Sequence, residues 1–309
     1  MAQADHPVPD LSVIIARVSM IDGSRVFDTL DALRHQDGDV AYEVIIADRL
    51  NDADSAAIRH RYPEFRLLEC PPGTSVPELR AISLEAASGS IVAVTEDHCV
   101  PPPDWVGNLV RAFEDAPKGT AAVGGSIANG VAERALDRAT FLCEYAQFQS
   151  PVPEGPCDTL PGMNLAYRRS VLQGFDRETL QKGFWETTLH PDMLRQGSGF
   201  FLTDRIRIRH CKKFSLGSFL RQRFLYSRHF AGSRAAGQSI PQRLAMLCLS
   251  FLLPPLLMGR LFRILWHKPA SEAGTFSALP LLMIFVLVGV CGELAGQIAG
   301  PGDALSRLE

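Results

Sequence analysis

The chain has 309 residues, of which 46% are hydrophobic, and a formal net charge of -3 at pH 7. This length allows one large catalytic domain with an appendage and does not require two full domains. The charge is unevenly distributed, because 13 Lys and Arg residues and no acidic residue lie between Arg205 and Ser271. A basic block beside apolar segments suits an anionic membrane surface or a phosphorylated ligand. It lacks interleaved aromatic residues and any nucleic-acid motif, so we expect no nucleic-acid partner.

The seven cysteines are scattered, and none belongs to a Cys-x-x-Cys pair. This pattern favours reduced thiols in a cytosolic compartment over a zinc site or a disulfide framework. The N-terminus, MAQADHPVPD, has neither the basic nor the apolar region of a signal peptide. We therefore expect the acidic part of the chain to remain in the cytoplasm.

The first 125 residues alternate between short β-branched runs and segments with helical spacing. The predicted strands are residues 11–15, 42–47, 91–95 and 121–125. The predicted helices are residues 25–36, 76–87 and 105–116, the last with Asp104 as its N-cap. This alternation predicts a parallel sheet covered by helices. Neither Gly-x-Gly-x-x-Gly nor the P-loop pattern occurs, which argues against dinucleotide cofactors and P-loop phosphoryl transfer.

Three polar side chains, Glu96, Asp97 and His98, directly follow the predicted strand at residues 91–95. Buried parallel strands present such residues to ligands at the carboxyl edge of the sheet. Residues two apart on an extended segment point the same way, so Glu96 and His98 could face one ligand. A divalent ion held there could neutralise a diphosphate. The alternative is a solvated acidic turn.

The last third of the chain changes character. Residues 200–210 predict a strand and residues 214–234 a basic helix, followed by apolar blocks at residues 244–259 and 276–292. A membrane-spanning helix needs about 20 apolar residues. The second block is long enough, whereas the first, broken by Pro254 and Pro255, is a kinked span, a re-entrant hairpin or an interfacial helix. The alternative is that both are core helices of a soluble protein.

The flanking charges bear on topology. The basic segment before residue 244 would lie on the cytoplasmic side of a membrane. Arg260 and Arg263 would then lie at the far end of a true span, which weakens a simple two-pass arrangement.

Several short segments are weak motifs individually, but their order and spacing together are fairly specific for one family of proteins. They are Leu11-Ser12-Val13-Ile14-Ile15, Glu43-Val44-Ile45-Ile46-Ala47-Asp48, Pro77-Glu78-Leu79-Arg80-Ala81 with Ala86-Ala87-Ser88-Gly89-Ser90, Thr95-Glu96-Asp97-His98, Pro161-Gly162-Met163-Asn164-Leu165-Ala166-Tyr167-Arg168-Arg169, and Phe184-Trp185-Glu186-Thr187. On these segments residues 10–235 resemble the family 2 glycosyltransferases of the membrane-associated bacterial type.

The resemblance implies an α/β protein of the GT-A fold, a Rossmann-like, mostly parallel sheet with flanking helices, followed by C-terminal hydrophobic helices. The implied organisation is a tail at residues 1–9, a GT-A glycosyltransferase domain at 10–235 and membrane-associated helices at 236–309. The implied activity is inverting transfer of a sugar from a nucleotide-diphosphate sugar to a lipid-linked or envelope polysaccharide acceptor. The enzyme would act at the cytoplasmic membrane, with its catalytic domain facing the cytoplasm.

By the same resemblance, Glu96-Asp97-His98 takes the place of the family's metal-binding Asp-x-Asp motif, with changes at both ends. The usual metal-ligand position falls on His98, and Asp97 is the alternative carboxylate ligand. A divalent cation, Mn²⁺ or Mg²⁺, is implied. An imidazole ligand leans toward Mn²⁺.

Other residues match the family's nucleotide-sugar contacts. Asp48 matches an acid that hydrogen-bonds the nucleobase, and Arg80 matches a basic residue near the diphosphate. A turn carboxylate and a surface helix arginine are the respective alternatives. Met163 and Asn164 would lie near the donor sugar and the acceptor. The first strand departs from the family, because Ala16-Arg17-Val18-Ser19 stands where a proline and a polar pair are usual.

The family keeps its general base in a Glu-Asp pair, which reads Glu186-Thr187 here. Glu186 is therefore the implied catalytic base. It could instead cap the helix that follows, and Asp176 and Asp192 would then be the remaining candidates.

Arg223 and Arg228 lie where processive relatives carry a Gln-x-x-Arg-Trp motif, which is not reproduced. They could supply cations to the diphosphate or lie on anionic lipid. The missing motif and the few apolar spans argue against a processive, polymer-extruding synthase.

Two other interpretations stay open. A catalytically degenerate GT-A domain could serve as a membrane scaffold, which Thr187 and the altered first strand would suit. A nucleotidyltransferase would share the acidic strand tip but needs a Gly-rich basic loop, and residues 16–24 contain only Gly23. The sequence does not identify the sugar, the nucleotide, the acceptor, the oligomeric state or whether residues 244–259 cross a membrane.

Overall fold

The computed structural model describes residues 8–18, 25–184, 186–266, 268 and 275–308. These residues form two compact units. The first contains the described residues of Met1–Ala128 and Ser150–Cys211, and the second those of Asn129–Gln149 and Lys212–Glu309. Compact packing does not test independent folding, so the domain boundaries at residues 9/10 and 235/236 stay predictions.

The first unit is built on a nine-stranded sheet. Its strands are β1 (Leu11–Arg17), β2 (Tyr42–Asp48), β3 (Arg66–Glu69), β4 (Ile91–Glu96), β5 (Cys99–Val100), β6 (Thr120–Asn129), β7 (Gly155–Cys157), β8 (Leu165–Arg168) and β9 (Gly199–His210). The strand order is β3-β2-β1-β4-β8-β6-β9-β5, with β7 paired to β9. Strands β1 to β4 pair in parallel. Antiparallel pairs join β8 to β4 and β6, and β9 to β5 and β7.

The helices of the first unit connect and cover these strands. They are α1 (Val26–Arg34), α2 (Ala53–Arg61), α3 (Val76–Ala86), α4 (Trp105–Asp115), α6 (Arg169–Leu172), α7 (Arg177–Gly183) and α8 (Glu186–Arg195). Every residue of β1 and five of the six in β4 are buried. Central strands are buried on both faces when helices cover both sides of a sheet, which explains their continuous apolar sequences. The predicted helix-covered α/β sheet is thereby confirmed.

The second unit is helical. Its helices are α5 (Ala135–Tyr145), α9 (Leu216–Ala235), α10 (Ile240–Ser250), α11 (Leu253–Trp266) and α12 (Thr275–Ala299). The predicted interruption of the first apolar block is confirmed, since α10 and α11 are bent by 58° relative to each other. The break falls at Phe251 and Leu252, and Pro254 and Pro255 lie in the first turn of α11. By length and composition, residues 277–299 are one candidate membrane span, and the bent α10–α11 pair is a second if it counts as a single span.

Candidate active site

The parallel strands β2, β1 and β4 end side by side and bring their last residues to one edge of the sheet. In the strand register Arg17 lies opposite Asp48, and Ala16 lies opposite Glu96. This is the edge at which open α/β sheets bind ligands. The predicted strand-tip tripeptide therefore lies where such a site is expected.

Four side chains near this edge could hold a metal ion. Ligand atoms of Glu96, His98, Cys99 and His210 all lie within 4.8 Å of one another. The Nε2 atom of His98 is 3.1 Å from Glu96 Oε2 and 3.1 Å from His210 Nε2. Two imidazoles and a carboxylate that converge in this way form a donor set suited to a divalent ion.

Asp97 contacts His98 from the side away from this cluster. Its Oδ1 atom is 2.7 Å from His98 Nδ1, and its Oδ2 atom accepts a hydrogen bond from the Val18 backbone at 2.9 Å. A carboxylate on one imidazole nitrogen fixes the ring and leaves the other nitrogen to bind metal. Asp97 thus orients His98 in this structure. Direct ligation by Asp97 stays a prediction.

The cluster strongly favours an ionised carboxylate. Burial would raise the pKa of Glu96, but the hydrogen bond from His98 and the positive charges of His98, His210 and Arg80 lower the pKa to about 2. An anionic oxygen is therefore present beside the two imidazoles throughout the physiological pH range. The donor set fits a divalent ion, whose binding would displace the protons of the two imidazoles but none from the carboxylate.

Arg80 joins the cluster to two other segments of the site. Its side chain is buried, with Nη2 3.8 Å from Glu96 Oε1. The same Nη2 donates to the carbonyl oxygen of Gly162 at 3.1 Å, and Nη1 donates to that of Phe184 at 3.3 Å. Arg80 is thus a buried residue of α3, and the alternative that it is an exposed arginine on a surface helix is wrong. Its contact with a diphosphate stays a prediction.

Glu186 is the first residue of α8 and lies against the loop that contains Gly162. A Cβ atom added to Gly162 would come within 2.3 Å of Glu186 Oε2, so the carboxylate lies directly against this glycine. Arg80 therefore links the candidate metal cluster to the segment that contains Glu186. Trp185, which precedes Glu186 in this motif, lies outside the described residues.

A buried pair packs behind Glu186. Tyr167 Oη lies 2.8 Å from His190 Nε2, and His190 is one helical turn after Glu186 on α8. Burial and the negative charge of Glu186 raise the pKa of Tyr167. Burial and the positive charge of Arg80 lower the pKa of His190 to about 4. Both side chains are thus neutral near pH 7.

Asp48, the predicted nucleobase contact, is fully buried. Its Oδ2 atom accepts from Arg17 Nη1 at 2.9 Å and from Ser55 Oγ at 2.6 Å. Its Oδ1 atom accepts from the backbone of Leu50 at 2.8 Å. The unusual arginine of the first strand is therefore the partner of Asp48, and a nucleobase contact by Asp48 stays a prediction.

The residues predicted near the donor sugar are both buried, Met163 at 4% and Asn164 at 0% exposure. The Asn164 amide donates to the carbonyl oxygens of Ser126 at 2.8 Å and Ile206 at 3.1 Å, and its oxygen accepts from Trp105 Nε1 at 2.8 Å. Asn164 thereby ties β6, β9 and α4 together beneath the loop. Its contact with the donor stays a prediction.

Arg223 and Arg228 belong to α9 of the second unit, and their contacts lie within that unit. Arg223 is 4.0 Å from Glu144, and Arg228 Nε donates to the carbonyl oxygen of Gly300 at 3.2 Å. The predicted role of these two arginines at the donor diphosphate stays a prediction.

Sequence reasoning did not identify His210 as a site residue. It ends β9 and lies opposite Cys99 in the β5–β9 register. The only signal in the sequence is the alternation Arg205-Ile206-Arg207-Ile208-Arg209-His210, which places His210 on the buried face with Ile206 and Ile208. That pattern gives burial but not the proximity to His98.

The sheet topology and the strand-edge cluster define a GT-A α/β protein with a candidate divalent-ion site. Residues 21–183 match the sequence profile described as "Glycosyl transferase family 2". This match covers more than half of the chain, which therefore belongs to glycosyl transferase family 2 and is a glycosyltransferase of the GT-A type. No curated protein matches the chain significantly.

Similar solved structures include the following two, of which the first has a TM-score above 0.5. The chain is similar to the mannosyltransferase PcManGT of Pyrobaculum calidifontis, solved with GDP-Man and Mn²⁺, at 16% identity and a TM-score of 0.54 over 93% of this chain and 87% of that one. It is also similar to residues 1–349 of TarS of S. aureus, at 12% identity and a TM-score of 0.48 over 92% of this chain and 89% of that one. At such identities the first similarity supports the GT-A fold and no finer property.

Proposed function

We propose that this glycosyltransferase moves a sugar, with inversion, from a nucleotide-diphosphate sugar to a hydroxyl group of a lipid-linked or envelope polysaccharide acceptor at the cytoplasmic membrane. The observation that carries the proposal is the linkage of the Glu96–His98–His210 cluster to Glu186 through Arg80 and Gly162. A group that can bind the diphosphate and a group that can take a proton are thereby held at one sheet edge.

Glu96, His98 and His210 would hold a divalent cation, with Cys99 within reach as a fourth donor. Such an ion supplies positive charge for the leaving diphosphate. The crystallisation of PcManGT with GDP-Man and Mn²⁺ supports a nucleotide-sugar donor and a metal of this type. Asp97 would keep the His98 ring in its binding orientation.

Arg80 would bind the diphosphate oxygens from beside the cluster. Its guanidinium is already fixed by two backbone carbonyls, so little side-chain freedom is lost when an anion binds. Asp48 would contact the nucleobase from the end of β2, while Met163 and Asn164 would shape the loop that faces the sugar. Arg228 would add a cation if α9 approaches the donor.

Glu186 would be the general base. As the acceptor oxygen attacks the anomeric carbon, its proton would pass to the Glu186 carboxylate, and the bond to the diphosphate would break on the opposite face of the sugar. A single displacement of this kind inverts the anomeric centre. The proximity of the carboxylate to Gly162, in the loop predicted to face the sugar, supports this role.

The apolar helices support action at a membrane. Residues 277–299 form a helix long and apolar enough to cross a bilayer. Large apolar side chains on α11 and α12 are exposed, including Trp266 at 87% and Ile298 at 70%. The catalytic unit would then face the cytoplasm, because the basic residues lie before the apolar blocks.

The experiment that tests this function is replacement of Glu186 by Gln in the full-length protein. Gln keeps the size and hydrogen bonding of Glu but is not basic, so turnover should fall by about 10²–10⁴-fold while donor affinity stays nearly unchanged. A transfer assay that monitors nucleoside diphosphate release, run with Mn²⁺ and Mg²⁺, is paired with donor-binding calorimetry. The matched control is Glu178→Gln, because Glu178 is exposed on the neighbouring helix α7.

The outcomes separate the interpretations. Retained turnover in Glu186→Gln would reassign the base to Asp176 or Asp192, whereas lost donor binding would make Glu186 a structural cap of α8. Donor binding by the native protein without turnover toward any acceptor would favour a membrane scaffold. Release of pyrophosphate would identify a nucleotidyltransferase.

A further inference from the structure

The second unit contains an open cavity of about 360 Å³ among α5, α9, α11 and α12. This volume lies in the range of sites that bind small organic molecules or a segment of a longer chain. The cavity is formed entirely by residues of the second unit, and the proposed transfer chemistry does not use it.

The walls of the cavity are mostly aliphatic. Helix α11 contributes Leu253, Leu257 and Leu261, and α12 contributes Leu282, Val286 and Val290. Each set is spaced four residues apart, so each forms one stripe along its helix. The two stripes give the cavity an elongated apolar lining that suits a hydrocarbon chain.

The opposite faces of the same helices are also apolar. Leu256 and Phe262 on α11 are 63% and 50% exposed, and Ile284 and Leu287 on α12 are 42% and 48% exposed. Exposed apolar faces of this extent mark contact with a lipid or protein surface. The cavity therefore lies within helices whose outer faces suit a bilayer, from which a hydrocarbon chain could enter.

One polar group in the lining is incompletely satisfied. The Nε atom of Arg223 is buried and has no hydrogen-bond partner among the described residues. The nearest acid, Glu144, is 4.0 Å away, which is at the limit of an ion pair. The Arg223 side chain is 21% exposed at the cavity, and a guanidinium with a long ion contact and an unused donor favours an anionic ligand.

The charge balance of the lining favours an anion as well. Glu293 is neutralised by Arg234, which contacts both of its carboxylate oxygens at 2.7 Å. Arg260 donates to Gln147 at 2.6 Å and remains a cation of the lining. Arg223 and Arg260 are thus opposed by Glu144 alone, which leaves an excess of positive charge.

We propose that this cavity binds a lipid phosphate, with the hydrocarbon chain between the stripes of α11 and α12 and the phosphate on Arg223. The lipid is the acceptor, or the carrier of the acceptor, in the transfer reaction; this part rests on the proposed function. Arg223 is thereby assigned to the lipid's phosphate rather than to the donor's diphosphate.

Binding of farnesyl phosphate to the full-length protein in detergent micelles tests the site. We expect saturable binding by calorimetry. Farnesol should bind at least about tenfold more weakly, because a charge-assisted hydrogen bond contributes that much or more. Inorganic phosphate alone and phosphatidylglycerol in the same micelles should not compete.

Two variants locate the ligand. Leu257→Trp fills the cavity and should abolish farnesyl phosphate binding. Leu256→Trp should leave binding intact, because Leu256 is the neighbouring residue on α11 and does not line the cavity. Nucleotide-sugar affinity should be unchanged in both, which also shows that each variant folds. Arg223→Gln should weaken farnesyl phosphate binding by about tenfold and leave farnesol binding unchanged.

The failures are distinguishable. Competition by phosphatidylglycerol equal to that of farnesyl phosphate, or unchanged binding in Leu257→Trp, would overturn the inference. Donor binding without farnesyl phosphate binding would overturn it and leave the proposed function standing. Farnesyl phosphate binding that Leu257→Trp abolishes, in a protein that does not bind nucleotide sugars, would support the site and overturn the proposed function.

Discussion

At the scale of single residues, three neighbours contact the two ring nitrogens of His98. Asp97 holds its Nδ1 atom at 2.7 Å, while Glu96 and His210 each lie 3.1 Å from its Nε2 atom. A ring fixed from one side offers the opposite nitrogen in a single tautomer. Asp97 therefore orients the His98 ring, and His98 is the residue that belongs to the candidate metal cluster.

Asp97→Asn should weaken binding of the divalent ion by about 10–100-fold without removing a member of the cluster. An amide cannot stabilise the imidazole tautomer as a carboxylate does. Titration of Mn²⁺ followed by electron paramagnetic resonance measures the affinity. The control is Asp104→Asn, since Asp104 directly precedes α4 and its side chain makes no capping hydrogen bond to that helix. Complete loss of binding in Asp97→Asn would instead indicate direct ligation by Asp97.

His190 should make stability depend on pH. Its folded-state pKa is lowered from 6.5 to about 4 by burial and by Arg80. Between these values the unfolded chain binds more protons than the folded protein, so stability rises with pH and is lost as pH falls from 6.5 toward 4. Above pH 6.5 this shift contributes up to roughly 3 kcal/mol to the free energy of unfolding.

Thermal unfolding of the native protein and of His190→Gln between pH 4 and 7 measures this contribution. The dependence on pH should be shallower in His190→Gln. The exposed residue His35 provides the control variant His35→Gln, which should follow the native curve. Identical slopes in all three proteins would show that His190 carries no such linkage.

At the scale of elements, α9 and α12 approach closely at a Gly-x-x-x-Gly pair, Gly292 and Gly296. A Cβ atom on Gly292 would lie 2.4 Å from the carbonyl oxygen of Phe224, and one on Gly296 would lie 2.5 Å from that of Arg228. Small residues allow such helices to pack backbone against backbone. Two glycines of α12 thereby set its distance from α9.

Gly292→Ala should destabilise the protein by about 1–3 kcal/mol, because the added methyl group overpacks the contact. Gly259→Ala on α11 should instead be neutral or stabilise by up to about 1 kcal/mol, since nothing lies within 4 Å of its Cβ position and alanine favours helix. Unfolding temperatures in the same detergent compare the two. Equal shifts in both variants would contradict a close α9–α12 contact.

At the scale of the whole molecule, a sheet unit and a helical unit carry different chemistry. The sheet unit holds the divalent-ion cluster and Glu186, and the helical unit holds the candidate span and the exposed apolar side chains. Much of the basic stretch belongs to the helical unit, because 10 of the 13 Lys and Arg residues between Arg205 and Ser271 lie from Lys212 onward. The two units thus suit an aqueous donor and a membrane surface respectively.

The full-length protein should fractionate with membranes and remain there after washing with about 1 M salt. At that ionic strength the Debye length falls to about 3 Å, so purely electrostatic adsorption would be released. Insertion of residues 277–299 would survive the wash and require detergent. A protein that dissolves without detergent would show that the apolar helices are core, and release by salt would indicate adsorption through the basic residues.

The fold class of the chain could be predicted from local sequence patterns. Continuous β-branched runs predicted β1, β2 and β4, since a strand buried on both faces needs apolar side chains at every position. The strand-tip tripeptide at residues 96–98 was predictable for the same reason, because it follows its strand directly. The break before α11 was also local, because Pro254 and Pro255 are tolerated in the first turn of a helix but not in its interior.

Other features depended on which strands pair and in which register. His210 meets His98 only because β9 pairs with β5, and Arg17 meets Asp48 only because β1 and β2 align in register. Glu186 reaches Gly162 because the start of α8 packs against the loop that contains Gly162. The sequence by itself determined the strands, the acidic tip and the apolar helices, since each is a property of neighbouring residues. The tertiary structure decided the composition of the site, because side chains far apart in sequence meet only through pairing and packing that no local pattern encodes.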